Sequence, residues 1–153
     1  MEISSLHYIT TTPEAAERAC QGGVRWVQLR VKNQPYAAWK QLALDTQAVA
    51  RRYGATLLIN DNPRLAQEIG ADGAHLGAAD MPPAEARALL GAKFIIGGTA
   101  NTFADVQRLV AAGVRSPITL KHARSAKSCV QIRLRIYSNS IGRQTVCADI
   151  SIK

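Results

Sequence analysis

Three polar clusters, each following an apolar run, hold the residues best suited to chemistry. The first is Gln28, Arg30 and Lys32, interleaved with Val27, Leu29 and Val31. In an extended segment this spacing puts the polar residues on one face and the apolar residues on the other. Two cations on a covered face are costly unless an anion meets them. Arginine offers phosphate a planar fork, and lysine a point charge. A solvated edge strand would show the same pattern. The second cluster is Asn60-Asp61, after Leu57-Leu58-Ile59, together with Asp80, after Ala74-His75-Leu76. Two carboxylates at neighbouring strand mouths suit Mg²⁺, which takes one or two carboxylates and completes its shell with phosphate oxygens. Helix capping competes for the same residues, since Asn62 precedes Pro63 and Asp80 precedes Pro82-Pro83, and one aspartate can cap and ligate together. The third is Gly97-Gly98-Thr99, where glycines permit close backbone approach and Thr99 brings a hydroxyl. An ordinary strand-to-helix turn has the same composition, and neither a dinucleotide fingerprint nor a Walker loop is present. His75 fits a core histidine with no assigned role, and Trp26 and Trp39 fit packing positions.

The elements that must position these residues alternate regularly. Leu6–Thr10, Trp26–Arg30, Thr56–Asn60, Ala74–Leu76 and Phe94–Gly97 have the β-branched and apolar content of strands. Between them lie helical stretches with recognisable ends. Thr12-Pro13 opens one and Gly22 closes it; residues 36–53 place Ala38, Leu42, Val49 and Tyr53 near one face before Gly54. Asn62-Pro63 and Gly70, then Pro82-Pro83 and Gly91, bound two more, and Thr102 to Asp105 resembles a capping box ahead of Gly113. A helix-ending glycine leads into the next strand three times, at Gly22-Gly23, Gly70-Ala71-Asp72-Gly73 and Ala112-Gly113. Such alternation predicts a parallel sheet with right-handed crossovers, either an open doubly wound sheet or part of a barrel. Both folds place their sites beyond the C-terminal strand ends, where all three clusters fall.

Charge divides the chain. Residues 1–114 carry 11 Lys+Arg and 10 Asp+Glu, a net of +1, whereas residues 115–153 carry 8 and 1, a net of +7. Basicity confined to one end argues against a nucleic-acid-binding face on the folded part and for two segments of different character. The longest apolar runs are too short for a membrane span, and the N-terminus lacks the pattern of a secretory signal. Cys20, Cys129 and Cys147 are odd in number and form no Cys-x-x-Cys pair, so a reducing cytoplasm is the expected location.

The stretches Leu6–Thr10, Val27–Lys32, Ile59–Asp61, Gly70–Asp80 and Ile95–Thr99, in this order and spacing, resemble the thiamine-phosphate synthase family. The resemblance covers residues 6 to about 114. It implies a (β/α)₈ TIM barrel and a transferase that joins an aminopyrimidine methyl diphosphate to a thiazole phosphate, releasing pyrophosphate. It further implies that Gln28, Arg30 and Lys32 bind the diphosphate, that Asn60 contacts the pyrimidine, and that Asp61 and Asp80 hold Mg²⁺. Thr99 stands where the family commonly has serine. Arg30 and Lys32, with the metal, would stabilise the departing pyrophosphate. A sister group, the thiazole tautomerases, shares part of the pattern without needing the full diphosphate and metal set, so retention of that set favours the synthase.

Beyond Val114 the resemblance ends. Residues 115–153 contain one glycine, Gly142, against ten before it, and show only one clear alternation, Cys129–Tyr137. The expected architecture is an incomplete α/β barrel of about five strand-helix units at 1–114, then an atypical, loosely packed basic tail at 115–153, as from a truncated or frame-shifted gene. Such a tail cannot supply the three strands and three helices that close a barrel of about 200–250 residues. Small-molecule substrates are the expected partners, with no membrane and no nucleic acid, and self-association stays open. A non-catalytic fragment with a polyanion-binding tail is the alternative of a different class.

Overall fold

The computed structural model describes residues 7–114, apart from the Phe103 side chain, and the backbone of strands at 118–121, 129–138 and 144–151. Five strand-helix units run in order: β1 (Tyr8–Thr10), α1 (Pro13–Gln21), β2 (Trp26–Leu29), α2 (Tyr36–Arg52), β3 (Thr56–Asn60), α3 (Pro63–Ile69), β4 (Gly73–Leu76), α4 (Pro83–Leu90), β5 (Ile95–Ala100) and α5 (Phe103–Ala111). Three strands follow: β6 (Ile118–Lys121), β7 (Cys129–Ser138) and β8 (Gln144–Ser151). The sheet order is sequential from β1 to β8. Neighbours are parallel as far as β6, and β7 and β8 then run antiparallel. β1 and β8 are the two ends of this sheet, so the barrel is not closed.

Local chemistry explains the helix ends. Thr12 accepts a hydrogen bond from the Ala15 amide at the start of α1, and Asn62 does the same from Leu65 at α3. Thr102 and Asp105 form a reciprocal capping box at α5. Gly70, at φ 66°, ends α3 in the left-handed region that a glycine enters without steric cost.

The core lies between sheet and helices. Val27, Leu29, Leu57, Ile59, Ala74, Leu76, Ile96 and Ala100 join it beneath the helices. The alternate residues, Trp26, Gln28, Leu58, Asn60 and His75, are also buried, on the sheet's other face. Burial on both faces is the mark of a parallel sheet.

Three expectations change. On α2 the expected face holds only in part: Val49 is buried and Leu42 and Tyr53 pack against the core, but Ala38 is exposed, and Ala43, Thr46, Gln47 and Ala50 are buried as well, because the stripe turned to the sheet is wider and shifted. Asp80 does not cap α4: Pro82 stands at that cap without a side-chain bond, and Asp80 instead accepts from the Gly77 amide at 2.6 Å. The segment beyond Val114 holds three strands rather than one, because short apolar runs such as Ile118–Leu120 gain a ladder from β5 that they cannot form alone. Among its described residues there is no helix. The boundary at 114 and the packing of the tail side chains lie outside the described residues.

Candidate active site

Parallel strands bring their C-terminal ends to one side, so Arg30 after β2, Asp61 after β3, Asp80 after β4 and Thr99 late in β5 share one rim. Each is held by its backbone. The Arg30 amide donates to the Thr10 carbonyl at 2.8 Å, extending the β1–β2 pairing by one step. The Asp61 amide donates to the His75 carbonyl at 2.8 Å, tying the end of β3 to β4. Asp61 has φ 64°, a left-handed conformation that an aspartate tolerates but that still costs about 1 kcal/mol. That turn leaves Asn62, not Asp61, to cap α3 and frees the Asp61 carboxylate for the rim.

The two carboxylates meet. Burial raises the Asp61 carboxyl above its ordinary range, and a hydrogen bond with Asp80 and the Asp80 charge raise it further. Lys32 and then Arg30 pull it the other way, which places both cations within electrostatic reach of the pair. Among the described residues no group of three or more His, Cys, Asp or Glu side chains gathers to hold a metal ion. A pair of carboxylates suits Mg²⁺, which usually takes one or two protein carboxylates and completes its shell with phosphate oxygens and water.

Deeper in, the polar residues pair across strands. Gln28, 2% exposed, donates its Nε2–H to Oδ1 of Asn60, 5% exposed. Gln28 therefore lies beneath the rim, while Arg30 and Lys32 are exposed on it. On the next pair of strands His75 Nε2 is 3.0 Å from Thr99 Oγ1. Below these, His7 packs edge-on to Trp26 at 6.1 Å and to His75 at 6.4 Å between ring centroids. Burial, then the neighbouring His75, lowers the His7 pKa to about 3, so its ring is neutral. Among the described residues both ring nitrogens of His7, Trp26 Nε1 and Gln28 Oε1 are buried without a hydrogen-bond partner.

The expected residues thus fall into an outer set of Arg30, Lys32, Asp61 and Asp80 and an inner pair of Gln28 and Asn60, with Thr99 bonded to His75 on β4 and β5. Sequence reading left His75 without a role and did not single out His7. The available signals were the position of His75 within β4 and that of His7 just before β1.

Comparison with known proteins places this geometry in context. A model of the family "Thiamine monophosphate synthase" matches residues 3–126. The thiamine-phosphate synthase of Phocaeicola vulgatus is 50% identical over 116 residues, covering 74% of this chain and 56% of that protein. The thiamine-phosphate synthase of Bacteroides thetaiotaomicron is 44% identical over 115 residues, covering 71% and 55%. The chain spans about half the length of these curated relatives. Among solved structures, a thiamine phosphate pyrophosphorylase from Pyrococcus furiosus superposes with a TM-score of 0.66 at 24% identity, covering 71% of this chain and 56% of that one, a likeness of fold. No helix among the described residues is long and apolar enough to cross a membrane.

Proposed function

The chain belongs to the thiamine monophosphate synthase family, and on that footing we propose that residues 8–100 carry the diphosphate half of a thiamine-phosphate synthase site. The observation that carries the reading is the Asp61–Asp80 carboxylate pair with Arg30 and Lys32 beside it. That arrangement is costly without a ligand and is relieved by a cation–diphosphate complex. Asn60, its Oδ1 engaged by Gln28, keeps its amide N–H groups for the pyrimidine ring. Thr99 offers a hydroxyl to the diphosphate.

In the reaction, the bond between the pyrimidine's exocyclic methylene carbon and the diphosphate oxygen breaks, and the electron pair leaves with pyrophosphate. Arg30 and Lys32 stabilise the charge that develops on that leaving group. Mg²⁺ held by Asp61 and Asp80 would supply further electrostatic stabilisation of the diphosphate oxygens. The thiazole nitrogen then captures the pyrimidine cation with its lone pair, so no side chain need act as nucleophile or base.

Residues 115–153 hold a single glycine, and none of their motifs resembles a second phosphate site. Without such a site, the positioning that makes a bimolecular coupling effectively unimolecular, worth about 7–11 kcal/mol in full, is missing. The full chain should therefore bind the pyrimidine diphosphate with Mg²⁺ but form thiamine phosphate poorly. Calorimetry for binding, and product formation from both substrates beside a full-length relative, test this. Absence of Mg²⁺-dependent binding would overturn the half-site, and turnover within tenfold of the relative would overturn the assignment of a deficient second half.

A further inference from the structure

We propose that His75 is a positioning residue: it donates its Nε2–H to Thr99 and so leaves the Thr99 hydroxyl proton for an anionic oxygen at the mouth of β5. The proposal rests on the diphosphate reading above and deepens it. The two side chains sit on adjacent parallel strands, with His75 opposite Gly97 in register and Thr99 two residues further along β5. Gly97 has no side chain to fill the diagonal between them, and Nε2 and Oγ1 stand 3.0 Å apart. His75 is 4% exposed, so its side of the contact is shielded from water.

A threonine hydroxyl has one proton and two acceptor positions. A proton given to His75 would leave only lone pairs facing outward, and these repel a phosphate oxygen. With the ring as donor, Oγ1 accepts from below and its proton points to the rim, where Arg30, Asp61 and Asp80 also stand. A neutral imidazole has one N–H, and the partners of its two nitrogens decide which carries it. His7, 6.4 Å away, is held neutral by burial and by His75, its pKa near 3, so it places no charge beside the His75 ring. Sequence alone assigns His75 to the core, whereas the structure makes it the only described side chain bonded to Thr99.

Two measurements on the full chain test this. Long-range ¹H–¹⁵N spectra of histidine-labelled protein should show His75 in the Nε2–H form, with its shifts displaced by Thr99→Val. An Nδ1–H form overturns the proposal. Titration of inorganic pyrophosphate in Mg²⁺ should show binding weakened about tenfold by His75→Phe and kept within threefold by His75→Gln, whose amide also donates. His75→Phe should add no further loss to Thr99→Val. Wild-type affinity in His75→Phe, or fully additive losses, would refute the coupling. If His75→Phe does not fold, Thr99→Val decides, and unchanged pyrophosphate affinity in that variant overturns the proposal. If the wild-type chain binds no pyrophosphate, the diphosphate reading fails, while the tautomer spectrum still decides the orientation of the His75–Thr99 bond.

Discussion

Gly73 is where the fold and the candidate site depend most directly on one missing side chain. It opens β4 and lies opposite Ile95 of β5. A Cβ at this position would lie 2.0 Å from the Ile95 carbonyl oxygen, 2.7 Å from the carbonyl carbon and 2.8 Å from the Ile95 Cβ. Ordinary contact begins near 3.4 Å, so Gly73→Ala overlaps backbone by about 1.4 Å. Backbone in a parallel ladder cannot rotate aside, so the strands must part. Opening them endangers the Ile95 amide bond to the Asp72 carbonyl, at 2.8 Å, and its neighbour in the ladder. Two such bonds at about 1 kcal/mol each, with an overpacking cost of about 1–3 kcal/mol, give a loss of roughly 3–5 kcal/mol. That is a large part of the 5–15 kcal/mol that ordinarily separates folded from unfolded domains. Gly98→Ala provides the contrast. Its Cβ would meet the Leu109 methyl groups at 2.7 and 2.9 Å, and these are the far end of a side chain that can turn away. About 1 kcal/mol is expected there. Urea unfolding of both variants measures the difference, with unchanged m-values as the check that only stability has moved. Parting β4 from β5 should also weaken pyrophosphate binding in Gly73→Ala, since His75 and Thr99 lie on those strands. A loss below 1 kcal/mol in Gly73→Ala, or an equal loss in Gly98→Ala, would refute the reasoning.

The acidic pair makes a prediction of sign. Asp61 is raised in the folded state, so its contribution to stability is present below the unfolded value near 3.8 and is lost as pH rises through the folded one. In EDTA at pH 7, Asp80→Asn should therefore raise the melting temperature, an advantage that fades at pH 3 and that Mg²⁺ with pyrophosphate reverses; a lower melting temperature in EDTA at pH 7 would count against the pair. His7 has a folded pKa of about 3 against an ordinary 6.5, so acid favours the unfolded chain, which binds the proton more readily. From pH 6.5 downward the wild type should lose up to about 1.4 kcal/mol per pH unit relative to His7→Phe, and parallel stability curves for the two proteins would refute this. Among the described residues, the antiparallel pair β7–β8 joins the sheet through the four residues of β6, in a segment of net charge +7. Its amides are expected to exchange faster than those of Leu57–Ile59, and equal protection would contradict that.

Much of this architecture is legible in the chain itself, because its signals are local. A cap such as Thr12 or Thr102 acts on an amide three residues away, and a glycine such as Gly70 ends a helix through its own φ. The observed β3 coincides with the apolar run Thr56–Asn60, and β1, β2 and β4 lie within two residues of theirs at each end, while β5 runs three residues past Gly97. The α2 face was less legible. An alanine-rich helix offers several stripes of similar polarity, and only contact with the sheet selects Ala43, Thr46 and Ala50 over Ala38.

By itself, the sequence determined the order of strands and helices, their punctuation, the polar residues at the strand ends and the break in charge near residue 114. All of these depend on neighbours a few positions apart. Tertiary structure decided which of those polar residues meet. Asn62 takes the cap, and Asp61, turned into the left-handed region, faces Asp80. Gln28 is drawn beneath the rim to Asn60, 32 residues away, and His75 finds Thr99 at a separation of 24. Such pairings depend on which strands lie side by side and in what register. A shift of one residue would turn each side chain to the opposite face, so no local pattern of residue types can specify them.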